Sequence, residues 1–170
     1  LSTTGLSLEA KTKITKNREL RLNAKQERIS SRSNQYNYLG GVKTRLKAAY
    51  RIDQDQRQYG LKYELDHNRR QNTATASFSP TRHLIGVQFT RRLSAKYKID
   101  AALDYRISDY TKVATQDRSD KRLSIMLAGS YRFNSIWTGK TELFLSNNRS
   151  NQSAYEYTKK VVMVSVFSVF

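Results

Sequence analysis

Residues 42–52 read VKTRLKAAYRI, and the two kinds of side chain in this stretch take turns. Val42, Thr44, Leu46, Ala48, Tyr50 and Ile52 hold the even positions. Lys43, Arg45, Lys47, Ala49 and Arg51 hold the odd ones. Successive side chains of a β-strand point to opposite faces, whereas a helix would spread these charges around its whole surface. The stretch therefore predicts a strand with one apolar and one strongly basic face.

The same period returns along the chain. It occurs at Tyr59, Leu61, Tyr63 and Leu65; at Ile85, Val87 and Phe89; at Ile99, Ala101, Leu103, Tyr105 and Ile107; and at Leu123, Ile125, Leu127, Gly129, Tyr131 and Phe133. It is weaker at Thr141, Leu143 and Leu145. Upstream it is present at Leu20, Leu22 and Ala24, and at Leu6, Leu8, Ala10, Thr12 and Ile14. No helical period is evident. The connections alternate in length: 52–57, 93–97 and 133–137 are short, while 30–37, 67–82, 108–120 and 147–156 are long and polar. An up-and-down β-barrel has this spacing when one rim is trimmed and the other elaborated.

Composition narrows the class. A formal net charge of +17 and a mean hydropathy of −0.73 would suit a nucleic-acid binder or a disordered tail. Eleven Tyr and six Phe spread along the chain argue against disorder. The basic residues alternate with apolar ones instead of gathering on one patch, so nucleic acid is an unfavoured partner. With no cysteine there is no disulfide framework and no thiolate chemistry. No stretch approaches the length of a transmembrane helix. No signal peptide is visible, and a start at Leu1 reads as a mature or trimmed chain.

The strongly basic chain nevertheless finishes on VVMVSVFSVF, residues 161–170, without a charge. Together with the alternating strands and loop lengths, this end resembles a Gram-negative outer-membrane β-barrel. Such barrels carry apolar residues outward and polar residues inward, on strands of about ten residues. The resemblance implies an antiparallel transmembrane barrel in the bacterial outer membrane. Its assembly signal for the barrel-assembly machinery would be Phe170, with Val166, Val164 and Val162 behind it. Lipid and lipopolysaccharide are implied partners, and other envelope or secretion proteins are further candidates. Tyr residues near strand ends and Trp137 would form interfacial girdles. The run from Arg118 to Phe170 is also similar to the ends of barrels in surface-lipoprotein and polysaccharide export proteins. The competing architecture is a soluble lipocalin-like or sandwich protein.

Counting back from Phe170 gives eight strands near 156–170, 137–147, 121–133, 97–108, 83–93, 57–67, 38–52 and 19–29. Residues 1–18 are then an N-terminal extension or an extra strand, and 19–170 the barrel, with ten strands or part of a larger barrel as alternatives. A turn at Lys16-Asn17-Arg18 keeps charges off the lipid face, where each costs about 2–4 kcal/mol near the midplane.

The inward face from residue 38 to residue 147 would carry ten bases: Lys43, Arg45, Lys47, Arg51, Lys62, Arg92, Arg106, Arg122, Arg132 and Lys140. Five acids, Glu64, Asp66, Asp100, Asp104 and Glu142, cannot neutralise them alone. A packed, hydrogen-bonded interior suits a non-enzymatic structural, anchoring or export-associated barrel. A basic lumen suits an anion-selective conduit, with residues 43–51 as its clearest stripe. The rest of the charge falls in loops, at Arg69, Arg70, Lys112, Arg118 and Lys121, where lipopolysaccharide phosphates are the sharper expectation.

Catalysis finds little support. His67 and His83 flank one long loop, and a pairing with Asp66, Ser77 or Ser79 is the only hydrolase geometry on offer. No metal spacing and no phosphate-binding glycine loop is present, so no cofactor is expected.

Overall fold

The computed structural model of the chain describes residues 2–30, 40–70, 80–113 and 116–168. They form β1 (Ser2–Thr15), β2 (Arg18–Ser30), β3 (Gly41–Gln54), β4 (Arg57–Arg70), β5 (Pro80–Arg92), β6 (Tyr97–Val113), β7 (Gln116–Arg132), β8 (Trp137–Ser150) and β9 (Tyr157–Ser168). A 3-10 turn, Ser153–Tyr155, sits between the last two. Each strand pairs antiparallel with its sequence neighbour, giving one sheet in the order β1 to β9. Among the described residues β1 pairs only with β2 and β9 only with β8, so this sheet is open.

Two expectations are corrected here. The described residues form nine strands and not the eight counted from the C-terminus, because residues 2–15 take the extra-strand alternative, laddered to β2 through Leu6↔Gln26, Leu8↔Ala24 and Ala10↔Leu22. The tight turn at Lys16 and Asn17 preserves parity, so Leu6 through Ile14 stay on the outer face. The second correction concerns residues 108–120, read as a loop. β6 and β7 instead run on past the apolar band, with Ser108↔Asp120, Asp109↔Ser119 and Tyr110↔Arg118 in register. Both faces are polar there, so the period-two contrast vanishes although the ladder continues.

The register lays apolar side chains side by side across the sheet. One outer row is Ile52, Tyr59, Phe89, Ala101, Leu127, Leu143 and Val162. On β6 the outer residues from Tyr97 to Ile107 span about 33 Å along the strand, or about 25 Å across a bilayer at the tilt of membrane barrels. Rings gather at the end with the short turns: Tyr59 lies 5.3 Å from Phe89, Tyr97 4.6 Å from Tyr131, and Tyr131 5.1 Å from Phe133.

No ordinary core exists behind this face. Leu84 and Ala128, each 5% exposed, and Pro80 are the buried apolar side chains among the described residues, while Leu6, Leu8 and Val164 are exposed to 84%, 73% and 73%. An apolar face this large is stable against hydrocarbon and a liability against water. No helix among the described residues is long and apolar enough to cross a membrane, which says nothing about strands.

Candidate functional site

The opposite face gathers the charged side chains into rows. One row runs Lys25, Arg45, Asp66, Arg82, Ser108, Asp120, Ser150. The next runs Asn23, Lys47, Glu64, Leu84, Arg106, Arg122, Asn148, Tyr157. All ten sequence-assigned bases share this face.

Six of them meet carboxylates. Asp66 accepts from Arg45 Nη2 at 3.0 Å and Nε at 3.3 Å, with Lys43 Nζ at 3.6 Å. Lys47 reaches Glu64 at 3.2 Å, and Lys62 reaches Asp104 at 2.9 Å. Arg51 lies 3.1 Å from Asp53 and 3.6 Å from Glu19, and Glu19 also holds Lys11 and Arg21. Lys140 pairs with Glu142. The β3 stripe of residues 43–51 is thus matched by acids on β2, β3 and β4.

Space for the Lys62–Asp104 pair comes from Gly86, which stands between them on β5: a Cβ there would run into both side chains. Gly86→Val is expected to cost about 1–3 kcal/mol by overpacking. The check is urea-dependent folding into lipid vesicles, read by gel mobility without boiling.

The remaining four, Arg92, Arg106, Arg122 and Arg132, have no ion pair among the described residues, and two of them cluster with Arg82. Among the described residues Arg82, Arg106 and Arg122 make no ion pair. Arg106 and Arg122 are direct cross-strand partners, and Arg82 is diagonal to Arg106 on the next strand. They border a cavity of about 360 Å³ whose lining also includes Arg118, Asn148 and Tyr157 and two acids, Asp120 and Glu156. It opens at the end of the sheet that carries the long connections. Arg82 and Arg106 also border a second cavity of about 210 Å³ with Lys43, Arg45 and Asp66.

Arg118 forms the wall. Its guanidinium lies 4.0 Å from the Tyr110 ring centre and 3.5 Å from that of Tyr155. It donates to Asp120 Oδ1 at 3.0 Å and to Oδ2 at 2.6 Å, and Ser150 Oγ donates to Asp120 at 2.7 Å. Asn148 Nδ2 donates to the Tyr155 carbonyl at 2.8 Å, fixing the 3-10 turn over the cavity. Arg118 is therefore a held structural cation and not the free loop charge expected from the sequence.

The chain from residue 54 to 169 matches the family model described as "Putative beta-barrel porin 2". The chain belongs to this family. Among solved structures, the porin-family sheet is similar to in-vitro folded OmpT, an outer membrane protein of Vibrio cholerae, with a TM-score of 0.75 at 12% identity over 98% of this chain and 56% of that one. A loop L8 deletion mutant of the same protein gives 0.75 at 10% identity, and its trimer form gives 0.72 at 14% identity, with 98% of this chain and 54% of theirs covered. At such identity the likeness shows the fold alone. The chain spans about half the length of these structures. No curated protein matches it.

Within the porin-family sheet the two histidines lie on the outer, apolar side. His67 Nδ1 is 2.8 Å from Thr81 Oγ1, and His83 Nδ1 is 2.8 Å from Tyr63 Oη. Asp66 precedes His67 in sequence but faces the other way, toward Arg45. Ser77 and Ser79 lie outside the described residues, as do Phe170 and the Lys112 side chain. Val162, Val164 and Val166 line the outer face of β9. Arg69 and Lys121 stand exposed on the outer side beyond the apolar residues. Among the described residues no group of three or more His, Asp or Glu could hold a metal.

Sequence reasoning missed Arg82 and Lys98 as members of the basic face. Arg82 was absorbed into a connection, although its parity with Leu84 and Gly86 already assigned it; Lys98 shares the parity of Asp100 and pairs with it at 2.9 Å.

Proposed function

We propose that the chain contributes about half of an outer-membrane passage that favours anions. The observation that carries the reading is the group of three arginines on the polar face without a partnering carboxylate. Backbone groups at a sheet edge are costly in hydrocarbon, and bacterial barrels close with even strand numbers. Further strands pairing with β1 and β9 would complete such a barrel. One of about twice this size would leave an aqueous channel, whereas an eight-stranded one is filled by its own side chains. A cleft of one charge sign then raises the local concentration of the opposite ion.

A purely structural or export-anchoring barrel is the second reading, favoured by the paired charges on β2, β3 and β4. In either, Arg69 and Lys121 would meet lipopolysaccharide phosphates, and β9 with Val162, Val164 and Val166 outward would present the assembly signal that Phe170 completes. Neither reading assigns His67 or His83 a chemical step. Swelling of proteoliposomes separates the two. A conduit admits a small carboxylate-bearing sugar faster than a cationic amino sugar of similar size. Vesicles that swell no faster than protein-free controls would leave the structural reading.

A further inference from the structure

We infer that Arg82, Arg106 and Arg122 form a binding site for a tetrahedral dianion, a phosphate or sulfate group, free or carried on a small solute. The inference rests on the conduit reading and names the ligand class of its polar face. Like charges placed directly opposite each other across two strands destabilise a sheet. Arg106 and Arg122 hold that position, and Arg82 adds a third charge on the diagonal.

Four of the acids nearby are already engaged by other cations; a fifth, Glu156, lines the same cavity and accepts from the Ser150 N–H at 3.3 Å. Asp66 is held by Arg45 and Lys43, Glu64 by Lys47, Asp104 by Lys62, and Asp120 by Arg118. Asp66 faces Arg82 across the β4–β5 ladder without an ion pair forming between them. The cavity lining sets Arg82, Arg106, Arg118 and Arg122 against Asp120 and Glu156, so it keeps an excess of positive charge that a dianion from solution would balance.

Guanidinium suits this task. Its planar fork donates two parallel hydrogen bonds to adjacent oxygens of a phosphate, and it keeps its proton at any working pH. Three forks around one cavity of about 360 Å³ can bind several oxygens of one dianion, which chloride cannot reproduce. Tyr157 stands at the end of the same row as Arg106 and Arg122 and borders the cavity. The Tyr110–Arg118–Tyr155 stack closes the opposite wall.

The test uses the full-length protein in a planar bilayer. Chloride carries the current, and inorganic phosphate is added to each side in turn at constant ionic strength. Phosphate is expected to reduce the chloride current. Arg106→Gln and, separately, Arg122→Gln should raise the phosphate concentration required by about tenfold or more, the weight of a charged hydrogen bond. Arg106→Lys should keep the chloride preference and lose most of the phosphate effect, because the charge remains and the fork does not. The two glutamine variants remove a repulsion and Arg106→Lys leaves the charge unchanged, so a folded band without boiling is expected for all three. A wild-type channel that prefers anions yet ignores phosphate would overturn this inference and leave the conduit standing. If the protein does not conduct, the conduit reading fails and calorimetric titration of phosphate into the detergent-solubilised protein decides the site. Binding lost in Arg106→Gln supports it, and no binding to the wild type overturns it.

Discussion

Leu127→Lys is expected to weaken folding into lipid by about 2–4 kcal/mol, whereas Met126→Lys, one residue away, should cost less than about 1 kcal/mol. The two positions differ only in the face they serve. Leu127 stands near the middle of the outer run Leu123 to Phe133, beside Ala101 and Leu143. Met126 stands on the polar face between Ala102 and Phe144. An ammonium on the outer side meets hydrocarbon and must snorkel or stay unsolvated. On the inner side it meets water and neighbouring carboxylates. The measurement is a urea titration of each variant in lipid vesicles, read by tryptophan fluorescence of Trp137 and by gel mobility. Equal costs at both positions would mean that the outer face does not meet lipid.

Arg106→Glu should lower the anion preference of the passage several-fold. The substitution changes the local charge by two units at the centre of the cluster, where the walls concentrate the field. It also places a carboxylate between Arg82 and Arg122, so the cluster becomes self-neutralising and the fold is expected to persist. The permeability ratio of chloride to potassium reports the effect directly. Arg45→Glu offers a contrast. It would set a second acid beside Asp66 and leave Lys43 as their nearest cation. Its main expected consequence is weaker folding, by about 1–3 kcal/mol for an unmatched, half-buried carboxylate pair.

Faces were legible in the sequence; partners across the sheet were not. The period of residues 42–52 assigned Lys43, Arg45, Lys47 and Arg51 to one side, and every other strand with contrasting faces could be assigned in the same way. Parity is a property of one strand and needs nothing else. Pairing depends on the stagger between strands, which turn geometry and bulges set and which one-letter patterns do not display. The β3 stripe therefore read as the clearest stripe of a basic lumen, although Asp66, Glu64 and Glu19 neutralise it. Arg82 read as a loop residue although it helps form the least compensated cluster.

Strand ends failed for a related reason. Where Ser108, Asp109, Arg118 and Asp120 leave the apolar band, both faces become polar and the contrast disappears. The hydrogen-bonded ladder continues regardless of side-chain type. Residues 2–15 were also ambiguous, because an extension and an outermost strand share one pattern. Only the ladder to β2 separates them.

The most direct measurement is the zero-current potential of the full-length protein in a planar bilayer under a potassium chloride gradient. A conduit governed by Arg82, Arg106 and Arg122 gives a potential with the sign of chloride preference, and the preference weakens in Arg106→Glu. Absence of conductance, or a potential with the sign of potassium preference, would contradict the account.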